Sequence, residues 1–367
     1  MSIKLNYSFF SETSPVAPYR EIQLHNPLFA MLAAVRDEGS IGKAASALNL
    51  SYRYLWGFLK KQEAVFGQSL LAGRQGQSAR LSDFGERLFW AEKKMRARFL
   101  PEAESLAAKL DLELSLAVEP DLTLLLAFAS HDLLFPTLRD CLKRESRVLL
   151  DVSYVGSARA LEKLNEGACL LAGIHLPLGD ERLCRRGSVI HLGLGPQLRL
   201  GDTKLIRFAT REQGLIIPSG NPLGLSGLPD VERTGVVFVN RPAGSGTRLL
   251  LDELLFLAGI SSNRIVGYAT EEATHLSVAA SIAAGNANCG FGLRAAAECF
   301  GLDFLPVTSE QYFLVCCKAA LETEAMQAVL KILLSDHFRQ LADSIPGYGT
   351  QGSGEIVSLR ATLPWYK

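Results

Sequence analysis

The chain has 367 residues, too many for one typical hydrophobic core, so two or three domains are expected. Hydrophobic residues make up 48% and charged residues 21%, which excludes a disordered chain, and the longest apolar run near the middle, Leu122 to Ala129, is too short to cross a bilayer. Formal charge is zero, yet residues 40–100 hold eleven basic side chains against four acidic ones, so the remainder carries the balancing negative charge. That asymmetry suits a nucleic-acid module joined to a neutral or acidic sensing domain, although a basic solvated surface gives part of it too. The seven cysteines are odd in number and show no C-x-x-C spacing, and the first twenty residues hold no apolar core behind a basic start. Reduced, mostly buried thiols in a cytoplasmic protein with no membrane partner are the expectation.

Residues 1–23 carry little signal beyond one short strand near Ile3 to Phe9. Leu28, Met31, Leu32 and Val35 then mark one face of a helix ending near Gly39. Ser40 to Leu48 reads as a short second helix capped by Ser40, with alanines where another helix must pack closely, and Asn49-Leu50 make the turn. Ser51 caps a third helix, Tyr52 to Phe66, which buries Leu55, Phe58 and Leu59 and turns Tyr52, Arg53, Trp56, Gly57 and Lys60 the other way. Ala72 to Arg80 is a glycine-punctuated basic hairpin, and Leu81-Ser82-Asp83-Phe84-Gly85 opens a long helix. A small three-helix bundle would share the helices; the hairpin beside the third helix favours DNA, with base edges met by the helix N-terminus and phosphates held by the wing.

In Gly39-Ser40-Ile41, Ala44-Ala45, Leu48, Ser51-Tyr52-Arg53, Trp56 and Ala79-Arg80-Leu81 the chain resembles the winged helix-turn-helix of LysR-type regulators, and more closely that of ModE-like proteins. The resemblance spans about residues 26–110. It implies that Ser51, Tyr52, Arg53, Trp56 and Lys60 face double-stranded DNA and that Arg74 and Arg80 belong to the wing. The helix from Ser82 shows Phe84, Leu88, Ala91, Met95 and Leu100 near a heptad seam, continuing to about Leu110 with a kink or restart at Pro101. In the resembling families this helix pairs two subunits, which implies a homodimer, or a tetramer, on a roughly palindromic site; a helix folded onto its own domain is the alternative.

After Asp111 strands and helices alternate, the mark of an α/β domain. Leu122–Ala129, Val148–Val155 and Ala168–Ile174 read as strands, the last ending at His175; Leu205–Phe208 and Gly214–Pro218 read as two more around Arg211-Glu212-Gln213. Gly235 to Val239 is a strand feeding Asn240-Arg241-Pro242-Ala243-Gly244-Ser245-Gly246-Thr247-Arg248 and a helix, Leu249 to Leu257. Everything in that loop donates hydrogen bonds, and a helix N-terminus adds unpaired N–H groups, so an anion is the expected partner. Hydroxyls recur at such strand-to-helix junctions, at Ser130, Ser157, Ser245 with Thr247, and Thr274 beside His275. Each alone is equally an N-cap; together, the loops of an open sheet can converge on one crevice.

Through Ser130-His131-Asp132, Gly156-Ser157, Ala172 to Leu176, Arg211 to Gly214, Asn240-Arg241, Gly244 to Arg248, Thr274-His275-Leu276 and Pro346-Gly347-Tyr348, this part resembles the substrate-binding-protein-like domain fused to ModE-like DNA-binding domains. The resemblance implies a winged helix-turn-helix at residues 1–81, a linker and dimerisation helix at 82–112, and a two-lobed type II periplasmic-binding-protein-like domain at 113–367. Lobe I takes about 118–206 and 305–367, lobe II about 207–304. It also implies an oxyanion effector held by Ser130, Ser157, Arg241, Ser245, Gly246, Thr247, Arg248, Thr274 and His275. The Arg-x-x-x-Ser-Gly-Thr spacing at Arg241 to Thr247 is similar to that of tungstate receptors, making tungstate or molybdate the expected ligand; an arginine equally suits formate or a molybdopterin species. His131 and His175 lack metal-ligand spacing, and no covalent cofactor is expected. An enzyme using Cys289, Cys316 or Cys317, or a C-terminal domain that only oligomerises, are the competing classes.

Overall fold

The computed structural model describes residues 26–72 and 79–366, and two compact units are distinct in it, one up to Ala97 and one from Arg98 onward. The expected strand at Ile3 to Phe9 and the wing residue Arg74 lie outside the described residues.

The first unit is built from α1 (Pro27–Glu38), α2 (Ile41–Ala47), α3 (Tyr52–Phe66), the hairpin β1 (Leu71–Ala72) and β2 (Arg80–Leu81), and the start of α4 (Asp83–Val118). Asn26 accepts from the Leu28 N–H, Pro27 opens α1 where a missing N–H costs nothing, and Gly39 ends it at φ 62°. Leu28, Met31, Leu32 and Val35 meet Ala44, Ala45, Leu55 and Leu59 in one buried cluster, as their spacing predicts. Ser51 caps α3 through the Tyr54 N–H at 3.1 Å, whereas Ser40 occupies the N-cap position of α2 without accepting a side-chain cap bond. β1 and β2 pair antiparallel, Leu71 opposite Leu81 and Ala72 opposite Arg80. Gly85 must be glycine there, since a β-carbon would fall 2.3 Å from the Leu70 carbonyl oxygen. α4 is unbroken through Pro101, where a restart was expected, and continues beyond Leu110 to Val118, because no other breaker occurs before Pro120.

In the second unit follow β3 (Thr123–Ala129), α5 (Phe135–Glu145), β4 (Val148–Tyr154), α6 (Ser157–Asn165), β5 (Leu171–Leu178), α7 (Val189–Leu194), β6 (Thr203–Ile217), β7 (Phe238–Val239), α8 (Gly246–Leu257), α9 (His275–Ala283), β8 (Cys289–Leu293), α10 (Arg294–Cys299), β9 (Asp303–Cys317), α11 (Glu324–Leu334), α12 (Asp336–Asp343), β10 (Tyr348–Gly349), β11 (Ile356–Ser358) and α13 (Leu359–Thr362). One sheet runs in the order β4-β3-β5-β9-β6-β8-β7, with β10 and β11 also on β6. Its middle is the antiparallel pair β6 and β9, fifteen residues each, paired from Thr203 opposite Cys317 to Ile217 opposite Asp303 with register shifts between Arg207 and Ala209 and between Gln213 and Gly214.

Those two strands serve both lobes. Toward β5 the sheet is covered on one face by α5, α11 and α12 around Phe135, Leu138, Val329 and Phe338, and on the other by α6, α7 and α13 around Leu161, Ile190 and Leu359. Toward β8 it is covered by α8 on one face and by α9 and α10 on the other. The segments expected as separate strands at Leu205–Phe208 and Gly214–Pro218 are therefore one, β6. Arg211 and Gln213 broke the apolar pattern in sequence, but both are buried in the strand with polar partners. β5 likewise runs to Leu178, so His175 is an interior residue opposite Tyr312 rather than a strand end.

Candidate functional site

In the first unit, α3 turns Leu55 and Leu59 into the core and leaves Ser51, Tyr52, Arg53, Trp56 and Lys60 exposed on the outer side. Tyr52 and Trp56, one turn apart, stack with ring centroids 6.4 Å apart, and the Lys60 ammonium lies 4.6 Å from the Trp56 ring while pairing with Glu63 at 2.6 Å. Arg53 makes no ion pair among the described residues. Arg80 is exposed at the base of the hairpin. An amphipathic helix with an aromatic and cationic outer face, capped by an exposed N-terminus, is what phosphate and base-edge contacts require.

The candidate cleft lies along the paired strands β6 and β9, where the sheet passes from one lobe to the other. Arg211 and Glu310 are register partners on these strands, with Tyr348 of β10 opposite Arg211 on its other side. The buried Arg211 guanidinium bonds Asp132 at 2.6 Å and also Glu310, and it sits 5.0 Å from the centre of the Tyr312 ring. Tyr348 donates to the same Asp132 oxygen at 2.9 Å, Gln213 donates to Glu310 at 2.9 Å, and His175 Nδ1 meets the second Glu310 oxygen at 2.9 Å. Burial alone would raise the Glu310 pKa, but Arg211, His175 and Gln213 outweigh it and hold the carboxyl far below its usual range. Two carboxylates thus neutralise Arg211.

Arg241 is different. It is 9% exposed, its Nη1 donates to the Glu272 carbonyl oxygen at 2.9 Å, its Nε has no partner, and no carboxylate pairs with it among the described residues. Burial, and then repulsion from Arg211, lower its pKa to about 10. The same two arginines help keep nearby imidazoles neutral. Burial and then Arg241 and Arg211 push His275 well below its ordinary value, and His131, despite Asp132, is held at about 4 by burial, Arg241 and Arg211. His275 Nε2 lies 3.4 Å from Thr247 Oγ1, which also faces Gln213 at 3.4 Å.

The nine residues expected at the site divide by what their groups already do. Gly246 opens α8 against the His175 ring, Gly244 faces Gly156, and Ser157 has a buried hydroxyl with no partner among the described residues, so the loops from the two lobes do meet. Thr247, His275 and Arg241 belong to this cluster. Ser130 bonds Tyr312 at 3.1 Å at its edge. Ser245 caps α8 through the Arg248 N–H, and Thr274 forms a capping box with Ser277. Arg248 pairs with Asp252 at 2.9 Å and lies 4.1 Å from the centre of the Tyr268 ring, so its charge is committed there. Asp132, Arg211, Gln213, Glu310, Tyr312 and Tyr348 carry no role in the sequence reading; polar residues inside the apolar β6 and β9 runs are the signal that could have found them. The thiols of Cys289 and Cys316 are buried and raised by that burial to about 12, which withholds the thiolate a nucleophile needs.

Two family descriptions match this chain: a PBP superfamily domain over residues 139–334, and the bacterial regulatory helix-turn-helix protein, lysR family, over residues 28–86. The chain is 30% identical over 204 residues to the uncharacterized protein YvgK of Bacillus subtilis (strain 168), a match spanning 56% of this chain and 64% of that relative, under two thirds of its length. It is similar in structure to a mutant of OxyR from Corynebacterium glutamicum with bound hydrogen peroxide, at TM-score 0.43 and 16% identity over 85% of this chain and 91% of that one. It is also similar to a phosphate ABC transporter substrate-binding protein with bound phosphate from Clostridium perfringens, at TM-score 0.45 and 13% identity over 60% and 97%. With one match covering more than half its length, the chain belongs to the PBP superfamily, and its residues 28–86 match the helix-turn-helix of the lysR family.

Proposed function

We propose that the regulator binds double-stranded DNA as a homo-oligomer, a dimer or a tetramer, and senses an oxyanion in the interlobe cleft, with tungstate or molybdate the first candidates. The observation that carries this reading is Arg241, a buried guanidinium with no carboxylate partner among the described residues, an electrostatic neighbour of His275, whose ring meets the Thr247 hydroxyl at 3.4 Å in the first turn of α8. Helix N-terminal N–H groups, neutral imidazoles and hydroxyls solvate a tetrahedral dianion, while one arginine supplies a charge-assisted grip. Anion bound between the loops of both lobes favours the closed form, and the change is carried along α4 to DNA affinity. A coupling of about 1–3 kcal/mol alters that affinity roughly 5- to 150-fold.

A second reading keeps the anionic head and adds an organic body. The cavity beside Ser157 and Gly246 has an apolar wall of Ala158, Ile190, Leu194 and Leu249, which a bare oxyanion leaves unused. Formate would leave it unused too; a molybdopterin-type phosphate ester would reach it. No helix among the described residues is long and apolar enough to cross a membrane. A DNA partner supports a cytoplasmic location for the protein.

One thermal-shift screen with tungstate, molybdate, sulfate, phosphate and formate tests the oxyanion reading. A ligand at about 100 times its dissociation constant adds about 2.7 kcal/mol. Arg241→Ala should lose the shift. No stabilisation by any anion, or an undiminished shift in that variant, removes the oxyanion reading.

A further inference from the structure

We propose that Cys141, Glu145 and His337 form a three-ligand site on lobe I for a borderline divalent cation of the zinc class. Their thiol sulfur, carboxylate and imidazole atoms all lie within 4.8 Å of one another. Cys141 and Glu145 stand four residues apart on α5, which places them on one face a turn apart, and His337 comes from the first turn of α12. The cluster sits at the C-terminal end of α5, whereas the Ser130 to Asp132 loop of the cleft precedes its N-terminal end.

The backbone at all three positions is fixed by packing. Leu138 and Leu142 on α5 and Phe338 on α12 are fully buried in the same core. Glu145 and His337 are exposed, so their side chains can turn without disturbing it. A tetrahedral zinc with sulfur at about 2.3 Å and nitrogen or oxygen near 2.0–2.2 Å holds its ligands about 3.5 Å apart. The cluster is within reach of that spacing by side-chain rotation of the two exposed groups.

Chemistry selects the cation. A mixed sulfur, nitrogen and oxygen set disfavours magnesium and calcium, which take oxygen ligands, and suits zinc or cobalt(II). Burial, then Glu145 and Asp140, raise the Cys141 thiol to about 11, so the cation must displace its proton; the resulting thiolate and the carboxylate together offset the two positive charges, and three protein ligands leave the fourth position to water. Neighbouring Lys143 does not compete for Glu145, since it pairs with Asp111 of α4 at 2.6 Å. Binding joins α12 to α5.

Cobalt(II) titrated into the tag-free, chelator-treated full chain tests this. The expected result is a saturable thiolate-to-cobalt charge-transfer band in the near ultraviolet at one equivalent, displaced by zinc, and absent in Cys141→Ser. His337→Ala, a substitution at an exposed position that leaves the core intact, should weaken cobalt binding by roughly tenfold or more, as removing even an outer-shell partner costs 10- to 100-fold. Cys299→Ser, at the exposed cysteine away from the cluster, should keep the band. No charge-transfer band in the unsubstituted chain, or cobalt affinity unchanged in His337→Ala, overturns the proposal.

Discussion

Gly246 lies so close to His175 that a β-carbon placed on it would sit 2.1 Å from the imidazole Cε1 and 2.3 Å from Nε2. Gly246 opens α8 in lobe II, and His175 belongs to β5 of lobe I, so this is one of the contacts at which the two lobes touch. Its backbone is not in the left-handed region, so the obstacle to Gly246→Ala is the His175 ring and not the chain conformation. The variant must push that ring aside or hold the lobes apart, so it should melt below the unsubstituted protein and also lose the anion-induced thermal shift. His175→Ala added to it should return part of the shift by making room. A full shift in Gly246→Ala alone would show that closure does not need this contact.

The charge cluster on the paired strands makes a prediction about stability. Arg211→Met leaves Asp132 and Glu310 buried without their cation, a loss of about 3–5 kcal/mol. Because the Glu310 pKa is depressed on folding, its contribution is complete above the ordinary carboxylate value of 4.5 and is lost as pH falls toward the folded value. Urea midpoints measured from pH 7 downward should fall on the acid side, and fall less steeply in Glu310→Gln, whose midpoint at neutral pH is already lower. An Arg211→Met protein within 1 kcal/mol of the parent would mean that water reaches the cluster.

Sequence patterning revealed α1 to α3 because their apolar positions follow one helical face and their ends carry Asn26, Pro27, Gly39, Ser51 and Gly67. It revealed the loops at Ser157 and Ser245 for a similar reason, since there a hydroxyl sits where a strand turns into a helix, whereas Thr274 opens α9 after an isolated bridge at Glu271 and not after a strand. The long paired strands were hidden. Arg211, Gln213 and Glu310 look like a loop when read singly, and only their pairing across β6 and β9 makes burial affordable. Nor can spacing reveal whether a hydroxyl caps its helix, as Ser245 and Thr274 do, or stays unpartnered, as Ser157 does.

The two cleft imidazoles give the anion response a pH dependence. His131 is faced by Asp132, the Tyr154 ring at 4.9 Å, Arg241 and Arg211; His275 is faced by Arg241, Arg211, Glu310, His131 and Thr247. A histidine with a depressed folded pKa contributes stability that is full above its ordinary value of 6.5 and is lost as pH falls, for His131 toward about 4. A bound oxyanion offsets the arginines and raises both imidazoles, so binding takes up protons and tightens as pH falls from 7 to 5.5. Calorimetry in buffers of different ionisation enthalpy should read that uptake, and His131→Asn should reduce it. Equal heats in all buffers would dissociate the imidazoles from the ligand.

On α3, Lys60 is held by Glu63 and by the Trp56 ring, while the exposed Arg53 has no ion-pair partner among the described residues, so the two cations should not weigh equally on DNA. Each phosphate contact contributes about one unit to the slope of log affinity against log salt. If Arg53 meets a phosphate, Arg53→Ala lowers affinity for every sequence and reduces that slope by about one. If it meets a guanine edge, the slope holds and discrimination at one base pair falls by about 1–3 kcal/mol. Lys60→Ala should cost less than either, because breaking the Glu63 pair offsets part of the loss. Fluorescence anisotropy over a salt series, with operator and scrambled duplexes, separates these results, and affinity and slope both unchanged in Arg53→Ala would move the DNA-reading face off α3.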